Sequence, residues 1–196
     1  MKILGITGGT GCGKTTLLRC VERHGGEVID CDALYHALLH TDTALLEAIS
    51  ARFSGVVTDG ELNRKALGKL VFADEAALHD LNSITHGAVC RAVRARLNLA
   101  RERGCELAAV DAIALFESGL ARLCDCTVAV TAPRSARSER LMRREGISEA
   151  YAAQRIAAQK SDAEFSEMSD FTLQNSGTIA EFEEQCEQFL KGVISM

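Results

Sequence analysis

Five short apolar runs punctuate the chain: Lys2–Thr7, Glu27–Asp30, Leu107–Asp111, residues 127–131 and Phe171–Gln174. Strands buried on both faces of a parallel sheet read this way, without the alternation of a sheet that faces water on one side. Helical patterns lie between them, which predicts an α/β chain: a five-stranded parallel sheet flanked by helices. The stretch between the second and third runs is too long for a plain loop. It reads as helical over 43–53, Arg64–Phe72 and 75–103. The last of these carries Leu78, Leu81, Ile84, Val89, Val93 and Leu97 as an amphipathic stripe. Residues 33–104 are therefore expected to form a helical insertion on a core made of 1–32, 105–133 and 168–196. A second insertion, 134–167, is rich in arginine and short helices. Residues 178–190 read as a closing helix with Ile179, Phe182, Cys186, Phe189 and Leu190 on one face.

Composition narrows the class. The 196 residues are 47% hydrophobic and 25% charged, the balance of a soluble globular domain. Lys and Arg total 22 against 27 Asp and Glu, a formal charge of -5. A protein that coats itself with nucleic acid is usually basic, so that class is set aside, while a local cationic site for one small polyanion is not. No run approaches a membrane span or the apolar region of a secretory signal, so a cytoplasmic location is expected, with no membrane partner. The eight cysteines are scattered; only Cys124 and Cys126 lie close, and no second pair accompanies them. A zinc site needs about four converging ligands, so free thiols in a reducing compartment are the expectation.

The strongest chemical signal is Gly8-Gly9-Thr10-Gly11-Cys12-Gly13-Lys14-Thr15, which fits the phosphate-loop pattern. A strand feeds it and a helix from Lys14 leaves it. Glycines let backbone N–H groups ring phosphates, and the helix N-terminus adds positive potential. Gly9, Thr10, Gly11, Cys12, Gly13, Lys14, Thr15 and Thr16 are thus expected to bind ATP, with Lys14 on the β- and γ-phosphates and the Thr15 hydroxyl on Mg²⁺.

Other candidates follow from strand ends, where an open α/β sheet faces its ligand crevice. The second run ends in Asp30-Cys31-Asp32. Asp32 is the candidate base for an acceptor hydroxyl, with Asp30 in support and near the metal; the alternative for Asp32 is an N-cap of the helix that starts near Ala33. Asp111 ends the third run and is a second metal candidate beside Thr15. Glu117 follows, with either a site role or a solvated helix start open to it. A GTPase is disfavoured: Gln159-Lys160-Ser161-Asp162 approaches a guanine-reading motif but follows a helical segment rather than a strand. A small kinase acting on a metabolite remains.

At this point the chain resembles the dephospho-CoA kinase family. The resemblance runs over nearly the whole length: Gly5–Gly9 into the loop, Val28–Asp32, then Asp59-Gly60-Glu61-Leu62-Asn63-Arg64-Lys65-Ala66-Leu67. It continues with Val71-Phe72, Leu81, Ile84 and His86, Val110-Asp111 through Leu115-Phe116-Glu117, Arg140, Arg144, the segment 155–159 and Asn175. The Asp-Gly-x-Leu-Asn-Arg segment is the most specific part. The resemblance implies a phosphate-loop kinase with a helical substrate region and a lid. It would transfer the γ-phosphoryl of ATP to the ribose 3′-hydroxyl of dephospho-CoA, the last step of coenzyme A synthesis. Asp32 matches the catalytic aspartate, Arg64 and His86 the substrate region, and Arg140 and Arg144 the lid. Asn175 lies where the family places the nucleotide base.

The charge pattern agrees with that implication. Dephospho-CoA carries a pyrophosphate, and Arg64 with Lys65 could serve it. Arg140 and Arg144, four apart on one helical face, would neutralise charge over ATP. The expected assembly is a monomer or weak homo-oligomer. The alternative is another small-metabolite or nucleoside kinase of the same architecture. Two departures stand out in a chain with a single proline. The family often has Pro where this chain has Gly87, and Pro-Leu-Leu where it has Ile113-Ala114-Leu115. Both turns are expected to be less constrained, with weaker substrate binding near His86.

Overall fold

The computed structural model describes residues 1–58 and 60–195; Asp59, which opens the Asp59–Arg64 segment, and Met196 lie outside them. The chain divides into two compact units, one of residues 1–29 and 97–196 and one of residues 30–96.

The first unit is built on a sheet of β1 (Lys2–Thr7), β2 (Glu27–Asp30, entering the second unit at Asp30), β5 (Leu107–Asp111), β6 (Cys126–Thr131) and β7 (Phe171–Gln174). The strand order is β2-β5-β1-β6-β7, with β1 central and parallel to both β5 and β6. Ile3, Leu4 and Ile6 on β1, Ala108 to Val110 on β5 and Val128 to Val130 on β6 are buried, which is why these strands read as unbroken apolar runs. The sheet order reverses at β1, so the loop after β1 opens at the switch point of the sheet.

On one face, α1 (Lys14–Arg23) packs against α9 (Ile179–Ser195) through Leu17, Cys20 and Val21 against Phe182, Cys186, Leu190 and Val193. The expected stripe on α9 is corrected at its start. Ile179 is the first helical residue and is 71% exposed; the buried row begins at Phe182 and runs on to Val193. The Cys186 thiol, against Cys20, is pushed up to about 12 by burial, so it packs as a small apolar group. Helices α6 (Arg134–Glu145), α7 (Glu149–Ala157) and α8 (Asp162–Met168) occupy the region expected as a lid. Leu141, Ala152, Ile156 and Ile147 give it a small core of its own.

The second unit holds α2 (Cys31–Thr41), α3 (Thr43–Arg52), a hairpin of β3 (Val57–Thr58) and β4 (Glu61–Leu62), α4 (Arg64–Phe72) and most of α5 (Glu75–Glu102). Leu39, Leu45, Ile49, Phe53, Val56, Leu67, Val71, Ala77 and Ala88 form its core. The expected α5 stripe shifts at its start: Leu78 is exposed and Ala77 takes the buried place. Gly87 stands in the interior of α5, so the constraint expected near His86 is that of a continuous helix, not a turn. A turn does follow β5, over Ile113–Leu115.

Candidate active site

The strand β1 ends at Thr7, and the loop Gly8–Gly13 carries the chain into α1. Gly13 takes φ +104° immediately before the helix, a conformation that favours glycine over any residue with a Cβ. The first α1 amides therefore face the loop with no side-chain oxygen from residue 13 to cap them, the arrangement that suits an anion. Lys14 Nζ donates to Gly8 O at 3.0 Å and lies 3.9 Å from Asp111 Oδ1. The end of β5 and the start of α1 are thus joined by one ammonium. Burial pushes the Cys12 thiol up, against the opposing pull of Lys14 and Arg137, so the loop cysteine stays neutral.

Three residues expected near the metal take different positions. Asp111 sits beside Lys14. Thr15 is exposed in the first turn of α1. Asp30 is the N-cap of α2, its Oδ1 accepting from Ala33 N at 2.9 Å. The helix-capping reading therefore falls on Asp30 and leaves Asp32, exposed in the first turn, uninvolved in the cap. Among the described residues no three His, Cys, Asp or Glu side chains converge as a metal cage. One carboxylate with one hydroxyl fits instead an ion that completes its shell from phosphate oxygens and water, as Mg²⁺ does.

Arginines of α6 reach the loop from its outer side. Arg140 Nη1 donates to Gly11 O at 3.2 Å and to Cys12 O at 3.4 Å, and its Nη2 to Asn175 Oδ1 at 3.1 Å. Asn175, which follows β7 and is 5% exposed, donates from Nδ2 to Cys12 O at 2.9 Å. Both ends of the Asn175 amide are thus used, Oδ1 on Arg140 and Nδ2 on the loop carbonyl of Cys12. Arg144 is exposed and binds Glu145, which also binds Arg155. Those two guanidinium groups hold the Glu145 carboxyl below its usual range.

Sequence reasoning missed the most buried charge of the site. Arg137 is 4% exposed; its Nε donates to Thr10 O at 2.9 Å, its Nη1 to Asp162 Oδ1 at 2.9 Å and its Nη2 to Gln159 Oε1 at 3.3 Å. Gln159 Oε1 also accepts from Thr10 N at 2.8 Å. The segment 159–162, set aside as a guanine-reading motif, thus serves Arg137. A spacing of three and then four places Arg137, Arg140 and Arg144 on one face of α6, and that spacing was the available signal. Glu117 is paired with Lys160 at 2.7 Å, which ties the turn after β5 to the α7–α8 connection.

The substrate candidates lie in the second unit. Asn63 caps α4 by accepting from Ala66 N at 2.9 Å, so Arg64 and Lys65 are its first two residues, exposed at the positive end of the helix. Arg64 opposes the burial that raises the Tyr35 hydroxyl, so the start of α4 lies beside α2. Tyr35 is one turn beyond Asp32 on the same face. His86 is half-buried on α5.

Known proteins bear on the assignment. The family described as dephospho-CoA kinase matches residues 2–181. A dephospho-CoA kinase of Anaeromyxobacter dehalogenans is 41% identical over 179 residues, 90% of this chain and 85% of that protein. The TT1252 protein of Thermus thermophilus superposes with a TM-score of 0.80 at 30% identity, covering 97% of both chains. The dephospho-CoA kinase of Campylobacter jejuni, at 23% identity and a TM-score of 0.69 over 100% of this chain and 98% of that one, shares the fold. With a phosphate loop at the sheet's switch point and a match that spans nearly the whole sequence, the chain belongs to the dephospho-CoA kinase family.

Proposed function

We propose that this kinase transfers the γ-phosphoryl group of ATP to the ribose 3′-hydroxyl of dephospho-CoA, giving coenzyme A and ADP. The observation that carries the reading is the loop Gly8–Thr15, with Lys14 beside Asp111, in a chain matched to the family over residues 2–181. The loop amides and the start of α1 hold the phosphates of ATP, and Lys14 exchanges its contact with Gly8 O for phosphate oxygens. Thr15 and Asp111 would hold Mg²⁺, which neutralises charge on the β- and γ-phosphates when bound. Arg64 and Lys65 take the pyrophosphate of dephospho-CoA, with His86 on the same substrate. Asp32 orients the 3′-hydroxyl and accepts its proton as the oxygen bonds to the γ-phosphorus and the bond to ADP breaks. Arg140 steadies the loop backbone around the transferring group.

Among the described residues no helix is long and apolar enough to cross a membrane. A soluble cytoplasmic enzyme that needs no nucleic acid and works as a monomer or weak homo-oligomer is the setting this reading implies. The test supplies protein, ATP and Mg²⁺ with dephospho-CoA, shikimate, a sugar acid or nucleosides in separate reactions, and follows ADP and phosphorylated product. ADP formation that requires dephospho-CoA and yields coenzyme A is expected. ADP formation with another acceptor, or with none, overturns the reading.

A further inference from the structure

We infer that Arg137 is a positioning residue for the phosphate loop: through Thr10 it sets the peptide plane whose amide faces the nucleotide. The inference rests on the reading of Gly8–Thr15 as the ATP site and adds a role to a residue outside the loop. A trans peptide is planar, so the C=O of one residue and the N–H of the next point in opposite directions. Arg137 Nε holds Thr10 O on the outer side of the loop. The Gly11 N–H is thereby turned to the other side. Asn175 and Arg140 do the same through Cys12 O, which turns the Gly13 N–H. The Cys12 N–H is used within the loop, on Gly9 O at 3.3 Å.

Arg137 is built for this task. Its guanidinium is buried, and its two terminal nitrogens bond to Asp162 and Gln159. Gln159 returns to the loop and accepts from Thr10 N, so the backbone N–H and C=O of Thr10 are held by one interlocked pair. The loop is shaped to admit this side chain. A Cβ on Gly9 would lie 2.7 Å from Arg137 Cζ, and one on Gly11 would lie 2.8 Å from Arg137 O. Glycine at position 9, which has no positive φ among the glycines that do, is required by the guanidinium instead. A planar fork can serve three acceptors at fixed angles; a lysine ammonium at the same place cannot.

The test is calorimetric titration of Mg·ATP into Arg137→Lys, Arg137→Met and Gln159→Leu, at a temperature well below each variant's melting point. No acceptor is needed, so an error in the acceptor assignment leaves the result interpretable. Loss of a charge-assisted contact predicts about a tenfold weaker ATP Kd for both Arg137 variants and a smaller loss for Gln159→Leu. The KM for dephospho-CoA is expected to stay within about twofold, a split that a general loosening of the fold would not give. If the Arg137 variants fail to fold, Asp162→Asn carries the test, because it weakens the hold on the Arg137 guanidinium without altering a loop residue, and a weaker ATP Kd is expected there too. An ATP Kd unchanged in the folded variants overturns the inference, as does an equal loss for both substrates. Tight ATP binding by the unsubstituted protein without turnover of dephospho-CoA would sink the proposed function and leave this inference standing.

Discussion

Lys14 Nζ stands 3.9 Å from Asp111 Oδ1 while it donates to Gly8 O, the carbonyl that opens its own loop. The ammonium is stored against the backbone with a carboxylate in reach. Removing it takes away positive charge where the transferring phosphoryl develops its own, and preorganised charge of this kind is worth about a hundredfold or more in rate. Lys14→Met is expected to lower kcat by at least that factor, read as ADP formed with saturating dephospho-CoA. Asp111→Asn is expected to raise the Mg²⁺ concentration needed for half-maximal rate. Activity near that of the unsubstituted enzyme in Lys14→Met would contradict the first statement, and an unmoved Mg²⁺ requirement the second.

Asp32 and Asp30 are two residues apart, and only Asp30 caps the helix that follows. Asp30 caps α2 through Oδ1, while Asp32 is exposed in the first turn of the helix and takes no part in the cap. Asp32→Asn is expected to reduce kcat by about a hundredfold or more, the usual worth of a positioned base, with the ATP Kd unchanged. Asp30→Asn keeps an N-cap acceptor and should cost little of either. Melting and kinetics of the pair together separate the roles. Equal kinetic losses in both variants would remove the distinction.

Gly9 and Arg137 are coupled by contact, and a double-mutant cycle can measure it. Gly9→Ala drives a methyl group into a guanidinium that three acceptors hold. The expected result is a several-fold rise in ATP Kd. In an Arg137→Ala background the same substitution has room, so its added effect should fall below about twofold. Independent, additive losses would show that position 9 requires glycine for another reason.

Much of this architecture was legible in the sequence because burial on both faces leaves an unbroken apolar run, as in Leu107–Asp111. The hairpin of Val57–Thr58 with Glu61–Leu62 was not, because two residues per strand carry no period. Periodicity finds the buried face of a helix but not where the core stops, hence the misplaced Leu78 and Ile179. Candidate chemistry was legible where the backbone dictates it, in the loop and at the strand ends. It was hidden where partners decide. Arg137 and Arg144 share a face of α6, yet the first is buried against Asp162 and Gln159 while the second is exposed and paired with Glu145. Asn175 reads as a polar residue after a strand, and only the approach of Cys12 O makes it a brace.

Glu187 joins α9 to the end of α1 by accepting from Arg23 and pairing with His24 at 2.7 Å. His24 first and Arg23 second hold its carboxyl down to about 2. A depressed folded value means the ionised form favours the fold. That contribution is fully present above the unfolded carboxylate value of about 4.3 and is lost as the pH falls through about 2. The Tm difference between the unsubstituted protein and Glu187→Gln should therefore shrink between about pH 5 and about pH 2. The site is solvated, so added salt should narrow the same difference at neutral pH. A difference that stays constant through the acid range would contradict the assignment.

Gly87 lies inside the 28-residue helix α5, next to His86. Its place in a helix interior gives backbone freedom to the unfolded chain and nothing in return. A Cβ added there meets only Arg91 Nη1 at 3.6 Å, an ordinary contact. Gly87→Ala should therefore stabilise the protein by about 0.5–1 kcal/mol, seen as a higher Tm. Gly87→Pro, which restores the residue the family often carries, would remove an amide from the helical ladder. In an unkinked helix it costs about 3 kcal/mol. If Gly87→Pro instead leaves Tm unchanged and lowers the KM for dephospho-CoA, then a bend at this point belongs to the productive form of the helix, and glycine here is a weakened version of it. A lower Tm with an unchanged KM would mean that this chain has settled on a continuous helix beside His86.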